Sequence, residues 1–376
     1  MILKNLILNE FRNFDNLSLN FQTGLNLISG QNGSGKTSII EAIHILTMGK
    51  SFRTEQDKEL IRTDSIIKPF STNLQGIFTG YKLEKIIVGY NRMQQTINSN
   101  GYSQTKERVQ KEIKHNNIQI SLSNLIGRIT IVVFSVEDME IVTGPPIERR
   151  KFLDILLCQS DRSYLNALRK YKRVLKQRNH LLNLIRDSKA DKNTIEEWDA
   201  QLITYGNLII KKRKDCLNSI SPLVKNLLES LNKNLSNCSL NYNCTIPDSE
   251  NNLINNYQKY LTQNQEKDLI LGKTTIGPHI DDFIITIENK NIRKFVSRGQ
   301  ARILALCLKI AQIEYFKNHT KNDSIILLDD ILSELDYPSQ KEVLNLSSTY
   351  PQTIITSTTT EWVKNFGLID VSLLNL

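Results

Sequence analysis

Cysteine is scarce in this chain, and apolar runs long enough to cross a membrane are missing. The five cysteines, Cys158, Cys216, Cys238, Cys244 and Cys307, are scattered; none sits in a CxxC pair and no histidine cluster accompanies them. That pattern argues against a zinc site. An odd, scattered count fits reduced thiols in a cytosolic protein, acting as small buried hydrophobes. The longest apolar stretches, such as Ile129–Phe134 and Ile325–Leu328, are far too short to span a bilayer. The N-terminus lacks a basic start followed by a long apolar segment and a small-residue cleavage site, so no signal peptide is expected. Proline and glycine are missing from Glu148 to Arg186, which leaves that stretch free to be helical. No internal repeat is visible. These absences point to a soluble, cytoplasmic protein with no membrane partner.

What is present is ordinary globular composition, 40% hydrophobic and 23% charged over 376 residues, enough for two or three domains. Forty-eight basic against 39 acidic residues give a net charge of +9, a weak pull toward a polyanionic partner. The first thirty residues read as strands at Ile2–Leu8, Leu17–Phe21 and Leu25–Ser29. After Gly35 the apolar spacing becomes helical. Leu74–Phe78, Lys85–Tyr90 and Ile129–Phe134 read as further strands. Helical periodicity runs from Glu148 to Arg186, breaks at Asp187–Asn193, and resumes over Thr194–Leu235 with an interruption at Pro222. The Asn-rich segment 232–256 reads as loop. A strand is expected at Phe283–Ile287, a helix at Gln300–Phe316, and short buried strands at Ile325–Leu328 and Thr353–Thr356. The expected class is α/β, a P-loop lobe with a second, largely helical lobe. The boundaries are 1–134 and 317–376 for the first lobe and 135–316 for the second.

Three segments carry chemistry. Gly30-Gln31-Asn32-Gly33-Ser34-Gly35-Lys36-Thr37 fulfils GxxxxGK[ST], followed by Ser38. Glycines let successive N–H groups point at phosphate oxygens, Lys36 can reach the β- and γ-phosphates, and the Thr37 hydroxyl can ligate Mg²⁺. The strand before and the helix after give the loop its required context, and the helix dipole favours the anion. A glycine turn bearing a surface lysine is the competing reading. Ile325-Ile-Leu-Leu-Asp329-Asp330 ends an apolar strand in two carboxylates; Asp329 would hold Mg²⁺ and Asp330 would polarise the attacking water. Such a strand is expected beside the one feeding the loop. A strand terminus capping a turn is the alternative. Ser297-Arg-Gly299-Gln300 opens a helix and offers a hydroxyl, an N–H and a helix N-terminus to an anion. The order phosphate loop, SxGQ, apolar-Asp-Asp is that of ATP-binding-cassette heads.

Basic runs sit in or beside the helical region: Arg149-Arg150-Lys151, then Arg169-Lys-Tyr-Lys172-Arg173 with Lys176 and Arg178, then Lys211-Lys212-Arg213-Lys214. Clustered cations neutralise phosphates, and with no base-reading motif any DNA binding would be largely independent of sequence. A solvated helix face is the competing reading.

With these motifs in place, the chain resembles the RecF family, head-only relatives of the Rad50 and SMC ATPases, over essentially its whole length. The resemblance rests on Leu8-Asn-Glu-Phe-Arg12-Asn-Phe14, Ser51-Phe-Arg53-Thr54, Phe134-Ser-Val-Glu-Asp138, Gly144-Pro-Pro, Arg149-Arg-Lys-Phe-Leu-Asp154, Gly277-Pro-His279-Ile-Asp-Asp282 and Leu327-Leu-Asp-Asp330-Ile-Leu-Ser-Glu-Leu-Asp336. Val136, Pro145, Ile280 and Tyr337-Pro-Ser depart from it, and Thr356-Ser-Thr358 stands where transporter ATPases carry a switch histidine. None of these departures touches the phosphate loop or the acidic pair. The resemblance implies that Arg12 lies near the nucleotide and that Ser297 reads the γ-phosphate of a facing chain in an ATP-dependent homodimer, with Ser333–Asp336 as a loop across the interface. It also implies a weak, DNA-dependent ATPase of recombinational repair. Such a protein binds single- and double-stranded DNA at gaps and, with RecO- and RecR-type partners, loads recombinase. An ATP-gated clamp with negligible turnover and a transporter ATPase subunit are the rival readings. The insert between Phe134 and Gly277 is too short for the coiled coil of a full SMC protein.

Overall fold

The structure, a computed structural model of the chain, describes residues 1–62, 71–99, 102–231, 235, 237–247, 252–320, 323–366 and 371–376. It forms two compact units, Met1–Val136 with Phe316–Leu376, and Glu137–Tyr315. Among the described residues no helix is long and apolar enough to cross a membrane.

Among the described residues the first unit has two sheets. Ile2–Phe11, Phe14–Asn20, Ser71–Thr79, Leu83–Ser99, Tyr102–His115 and Ile118–Gln119 form an antiparallel sheet. Its strand Ser71–Thr79 buries Thr72, Leu74, Gly76 and Phe78 in strict alternation, as a strand with one face on the core must. The other sheet is parallel, in the order Val371–Asn375, Gly24–Ser29, Gln352–Ser357, Ile325–Asp329, Ile131–Phe134. Here Ile325–Asp329 and Gln352–Ser357 are buried at every position, the pattern of strands covered on both faces. The helix Lys36–Met48 packs against strands of both sheets, so it is buried nearly all round rather than on one stripe.

The strand that ends in Asp329 is not the neighbour of the strand that feeds the phosphate loop. Gln352–Ser357 lies between them, with Thr356 level with Asp329 on one side and with Ile28 on the other. The expectation of direct adjacency is therefore corrected.

The second unit is built from the helices Pro146–Ser160, Arg162–Arg186, Glu196–Leu231 and Leu253–Leu271 around a small antiparallel sheet of Cys238–Asn243, Asp282–Ile287 and Lys290–Asn291. The helical stretch expected as one piece from Glu148 is divided at Asp161, whose carboxylate accepts the N–H groups of Ser163 and Tyr164 at 2.7 and 3.2 Å. The helix runs straight through Pro222, which does not interrupt it. Ile220, Val224 and Leu228 are fully buried around it, and their burial offsets the lost N–H. The segment 232–256 is not all loop. Cys238–Asn243 pairs with Asp282–Ile287 and a helix starts at Leu253, while 232–234, 236 and 248–251 lie outside the described residues.

Charged side chains knit this unit together from inside. Arg178 is 0% exposed and donates to Asp199, to Asp268 at 2.7 Å and to the Thr274 hydroxyl at 2.8 Å. Gly277 has φ 115°, and a Cβ there would run into the hydroxyls of Tyr257 and Tyr171. Asp281 accepts from the Tyr242 hydroxyl and from both the N–H and the hydroxyl of Thr245. His279 Nε2 faces the Thr274 carbonyl at 3.0 Å and Nδ1 faces the Tyr171 hydroxyl at 2.7 Å. A carbonyl only accepts, so Nε2 carries a proton, and in the neutral ring Nδ1 is the acceptor for the Tyr171 hydroxyl.

Burial lowers the pKa of His279 below its ordinary value. The unfolded chain therefore takes up this proton first, and stability that is fully present above about pH 6.5 is lost as pH falls through the folded-state pKa. Trp198 lies in the second unit and Trp362 in the first. In a Trp362→Phe background, Trp198 fluorescence in urea should show the unfolding midpoint falling between pH 7.5 and about pH 5. His279→Gln, which donates and accepts without titrating, should flatten that fall; an unchanged slope would remove the histidine from the account.

Candidate nucleotide site

Gly35 caps the loop helix in the left-handed conformation at φ 103°, and a Cβ there would strike Phe14 and the Asn13 amide. Glycine is needed because the hairpin tip at Arg12–Asn13 lies against the loop, with the Asn13 side chain donating to the Ser34 carbonyl at 3.2 Å. Gly33 is also left-handed, at φ 85°. Gln31, Asn32 and Gly33 are exposed, and Ser38 is buried behind them. The Lys36 ammonium donates to the carbonyls of Gly30 and Gln31 at 2.8 and 2.9 Å, lying back along the loop it follows.

The acidic pair meets this loop. The Thr37 hydroxyl donates to Asp329 Oδ1 at 3.1 Å, across 292 residues of sequence. The intervening strand supplies the bracket. Thr356 Oγ1 donates to the same Asp329 oxygen at 2.9 Å and accepts the Asp330 N–H at 2.9 Å. Asp330 adopts φ 51°, a conformation that costs a non-glycine residue about 1–3 kcal/mol. Its carbonyl accepts from the Ser333 hydroxyl at 2.9 Å, so both its main-chain ends are held. Asp330 Oδ1 is buried without a hydrogen-bond partner among the described residues. Burial raises the Asp330 carboxyl above its ordinary pKa; the Lys36 ammonium opposes this and Glu334 adds to it.

A cavity of 610 Å³ opens over these groups, with Lys36, Thr37 and Asp330 on its floor and Arg12, Arg53, Glu59 and Ile61 on its wall. Its size suits a nucleotide, and its lining combines loop N–H groups, three cations and a carboxylate of raised pKa. Thr37 and Asp329 offer hard oxygen donors of the kind Mg²⁺ takes, and the unpartnered Asp330 oxygen is a polar atom that requires something to bind.

A family model described as the RecF/RecN/SMC N terminal domain matches residues 2–371. A relative from Clostridium novyi, named DNA replication and repair protein RecF, is 36% identical over 372 residues, covering 99% of this chain and 94% of its own. The chain belongs to the RecF family. A solved structure titled as the recombination mediator protein RecF with ATP in the RecFOR pathway superposes with a TM-score of 0.83 at 32% identity, covering 95% of this chain and 92% of that one. A Smc head domain from Pyrococcus furiosus gives a TM-score of 0.51 at 17% identity, covering 96% of this chain and 91% of that one, a likeness of fold alone. The fold is thus that of an ABC-type ATPase head, α/β with one parallel sheet and antiparallel companions.

The segment Ser297–Gln300 forms a reciprocal cap. The Ser297 hydroxyl accepts the Gln300 N–H at 3.3 Å, and the Gln300 side chain accepts the Ser297 N–H at 3.0 Å. Ser297 and Gly299 are exposed at the start of the helix Arg298–His319, and a Cβ on Gly299 would meet nothing within 4 Å. Asp336 caps the next helix through the Ser339 N–H at 3.1 Å. Of the departures from the family pattern, Val136, Ile280 and Tyr337 are exposed.

The basic candidates divide by burial. Arg149 and Arg213 are 4% and 2% exposed. Arg149 forms a two-pronged pair with Asp282 at 2.8 and 2.9 Å, and Arg213 bonds Asp154, the Tyr164 hydroxyl and the Pro278 carbonyl. Neither can present its charge to a phosphate, so both are withdrawn as DNA contacts; sequence spacing could not separate a buried arginine from its exposed neighbours. Arg150 is half-buried and donates to the Ile280 and Asp281 carbonyls. Lys212 pairs with Asp161 at 2.7 Å. Lys151, Arg169, Lys172, Arg173 and Lys211 are exposed.

Sequence reading noticed Thr356 only as a substitute for the switch histidine and missed its bracket role. Thr356→Val removes the donor to Asp329 and the acceptor for the Asp330 N–H, both buried. It should cost about 1–3 kcal/mol, read by Trp362 fluorescence in urea, with Thr356→Ser close to the parent.

Proposed function

We propose that this chain binds ATP with Mg²⁺ in the first unit, hydrolyses it, and uses the cycle to control an ATP-dependent homodimer on DNA at single-strand gaps. The observation that carries this reading is the meeting of Thr37 and Asp329 beside Lys36 and under one cavity. Loop N–H groups and Lys36 hold the β- and γ-phosphates. Thr37 and Asp329 would hold Mg²⁺, which would supply positive charge to the phosphoryl group being transferred. Asp330 accepts the proton of the attacking water, a task suited to a carboxylate whose pKa is raised.

Ser297 and Gly299, exposed at a helix N-terminus, and the half-buried Gln300 suit a γ-phosphate held by a facing chain. Two such half-sites close a two-fold dimer around two nucleotides, and ATP favours that dimer because it binds the dimer more tightly than the monomer. Exposed Lys151, Arg169, Lys172, Arg173 and Lys211 supply phosphate contacts without base readout. The RecF relatives, named for replication and repair, and the ATP-bound mediator of the RecFOR pathway support a cytoplasmic role in recombinational repair. In that role the protein acts with RecO- and RecR-type partners to load recombinase on single-stranded DNA.

Two substitutions separate the steps, read by light scattering with ATP and a gapped duplex. Asp330→Asn should bind ATP, dimerise and stay on DNA longer, because the water is no longer activated. Ser297→Arg should bind ATP yet remain monomeric. Normal ATP-driven dimerisation of Ser297→Arg would overturn the trans arrangement.

A further inference from the structure

One buried carboxylate has no place in the mechanism above. Glu41 lies on the loop helix, 0% exposed, one turn beyond Thr37. A carboxylate there has no packing rationale, since its neighbours Ile39, Ile40, Ala42 and Ile43 are all fully buried apolar residues. It is compensated by three donors from two segments. Arg12 approaches it with two prongs, Nε to Oε2 at 2.9 Å and Nη2 to Oε1 at 2.6 Å. Arg53 Nη1 lies 3.4 Å from Oε2, and the Ser51 hydroxyl donates to Oε1.

Two of these donors, Arg12 and Arg53, line the cavity. Arg12, at φ 55°, is the tip of the first hairpin; its free prong bonds the Glu59 carbonyl at 3.0 Å and its N–H bonds the Leu60 carbonyl at 3.0 Å. Ser51 Oγ accepts the N–H groups of Arg53 and Thr54, shaping the turn that carries Arg53. Arg12, Arg53, Glu59 and Ile61 all line the cavity that holds Lys36 and Asp330. The Arg12 side chain is 19% exposed and that of Arg53 43%. Both guanidinium groups are thus held by Glu41 while remaining partly exposed among the residues that line the cavity.

We propose that Glu41 is a positioning residue which fixes Arg12 and Arg53 as a pre-aimed pair of guanidinium groups for the phosphates of the nucleotide. This rests on the reading of the cavity as an ATP site. Two guanidinium groups a short distance apart repel each other, and a shared buried carboxylate removes that cost before the anion arrives. The ordering is then in place before binding rather than acquired during it. Glu41 itself touches no ligand; its effect passes through the arginines.

The test is ATP and tripolyphosphate affinity by calorimetry for the parent, Glu41→Gln, Arg12→Gln, Arg53→Gln and the double variants Glu41→Gln/Arg12→Gln and Glu41→Gln/Arg53→Gln. Glu41→Gln should weaken both ligands about tenfold or more. Each double variant should lose less than the sum of its two single losses, because the part of the Glu41 effect that passes through the missing arginine is already gone while the part through the remaining arginine persists. A Glu41→Gln affinity within twofold of the parent, or additive losses in both cycles, would overturn the proposal. Loss toward ATP with tripolyphosphate unchanged would overturn the assignment to phosphates. If Glu41→Gln fails to fold, the arginine variants still decide, since normal ATP affinity in both Arg12→Gln and Arg53→Gln removes the pair from the site. A parent that binds no ATP instead sinks the functional reading on which this one stands.

Discussion

A hydroxyl near the start of the chain and a carboxylate near its end approach to 3.1 Å, and the first unit is arranged so that they do. Neither Thr37 nor Asp329 could be brought there by local structure. The meeting depends on parallel register, because strand Gln352–Ser357 sets Thr356 level with both Ile28 and Asp329, bridging the strand that feeds the loop and the strand that ends in acid. One hydroxyl on that middle strand then satisfies both an Asp329 carboxylate oxygen and the N–H of the strained Asp330. The helix that carries Thr37 is locked between two sheets, so the loop ahead of it has little freedom to drift.

Much of this was legible in the sequence. The strand, glycine loop and helix announce themselves because glycine spacing, the Lys-Thr pair and a change of apolar period from two to 3.6 all fall within twenty residues. The acidic strand is legible because a short apolar run ends abruptly in two carboxylates. The sheet order is not legible, since nothing local to Ile325–Leu328 or Thr353–Thr356 says which lies beside the loop strand. The strand Cys238–Asn243 hides for a different reason: its exposed positions Asn241 and Asn243 give a composition that reads as loop, while Cys238 and Leu240 do the burying. Asp161 divides two helices without glycine or proline, by capping alone.

In the second unit, family-typical residues prove to be architecture. Arg149, Asp154, Arg213, Gly277, His279, Asp281 and Asp282 bind one another or the elements around them, rather than lying open to a ligand. Buried ion pairs of this kind are weak stabilisers but costly to break, because removing one partner strands the other charge away from water. They fix which helix faces which strand. That explains why a run of basic residues can contain two buried arginines beside exposed lysines, a distinction invisible to charge counting. Ser297 and Gly299 at a helix start, and lysines and arginines such as Lys151, Arg169 and Lys211, remain exposed on this unit.

The central claim is that the loop and the acidic pair make one site for a nucleotide and its divalent ion. The direct measurement is an equilibrium titration of the parent chain with ATP, with Mg²⁺ present and then removed by chelation, alongside Asp329→Asn. The account predicts one ATP per chain, affinity that falls when Mg²⁺ is withdrawn, and an Asp329→Asn variant whose affinity no longer responds to Mg²⁺. ATP binding that ignores both the ion and the substitution, or no binding at all, would contradict it.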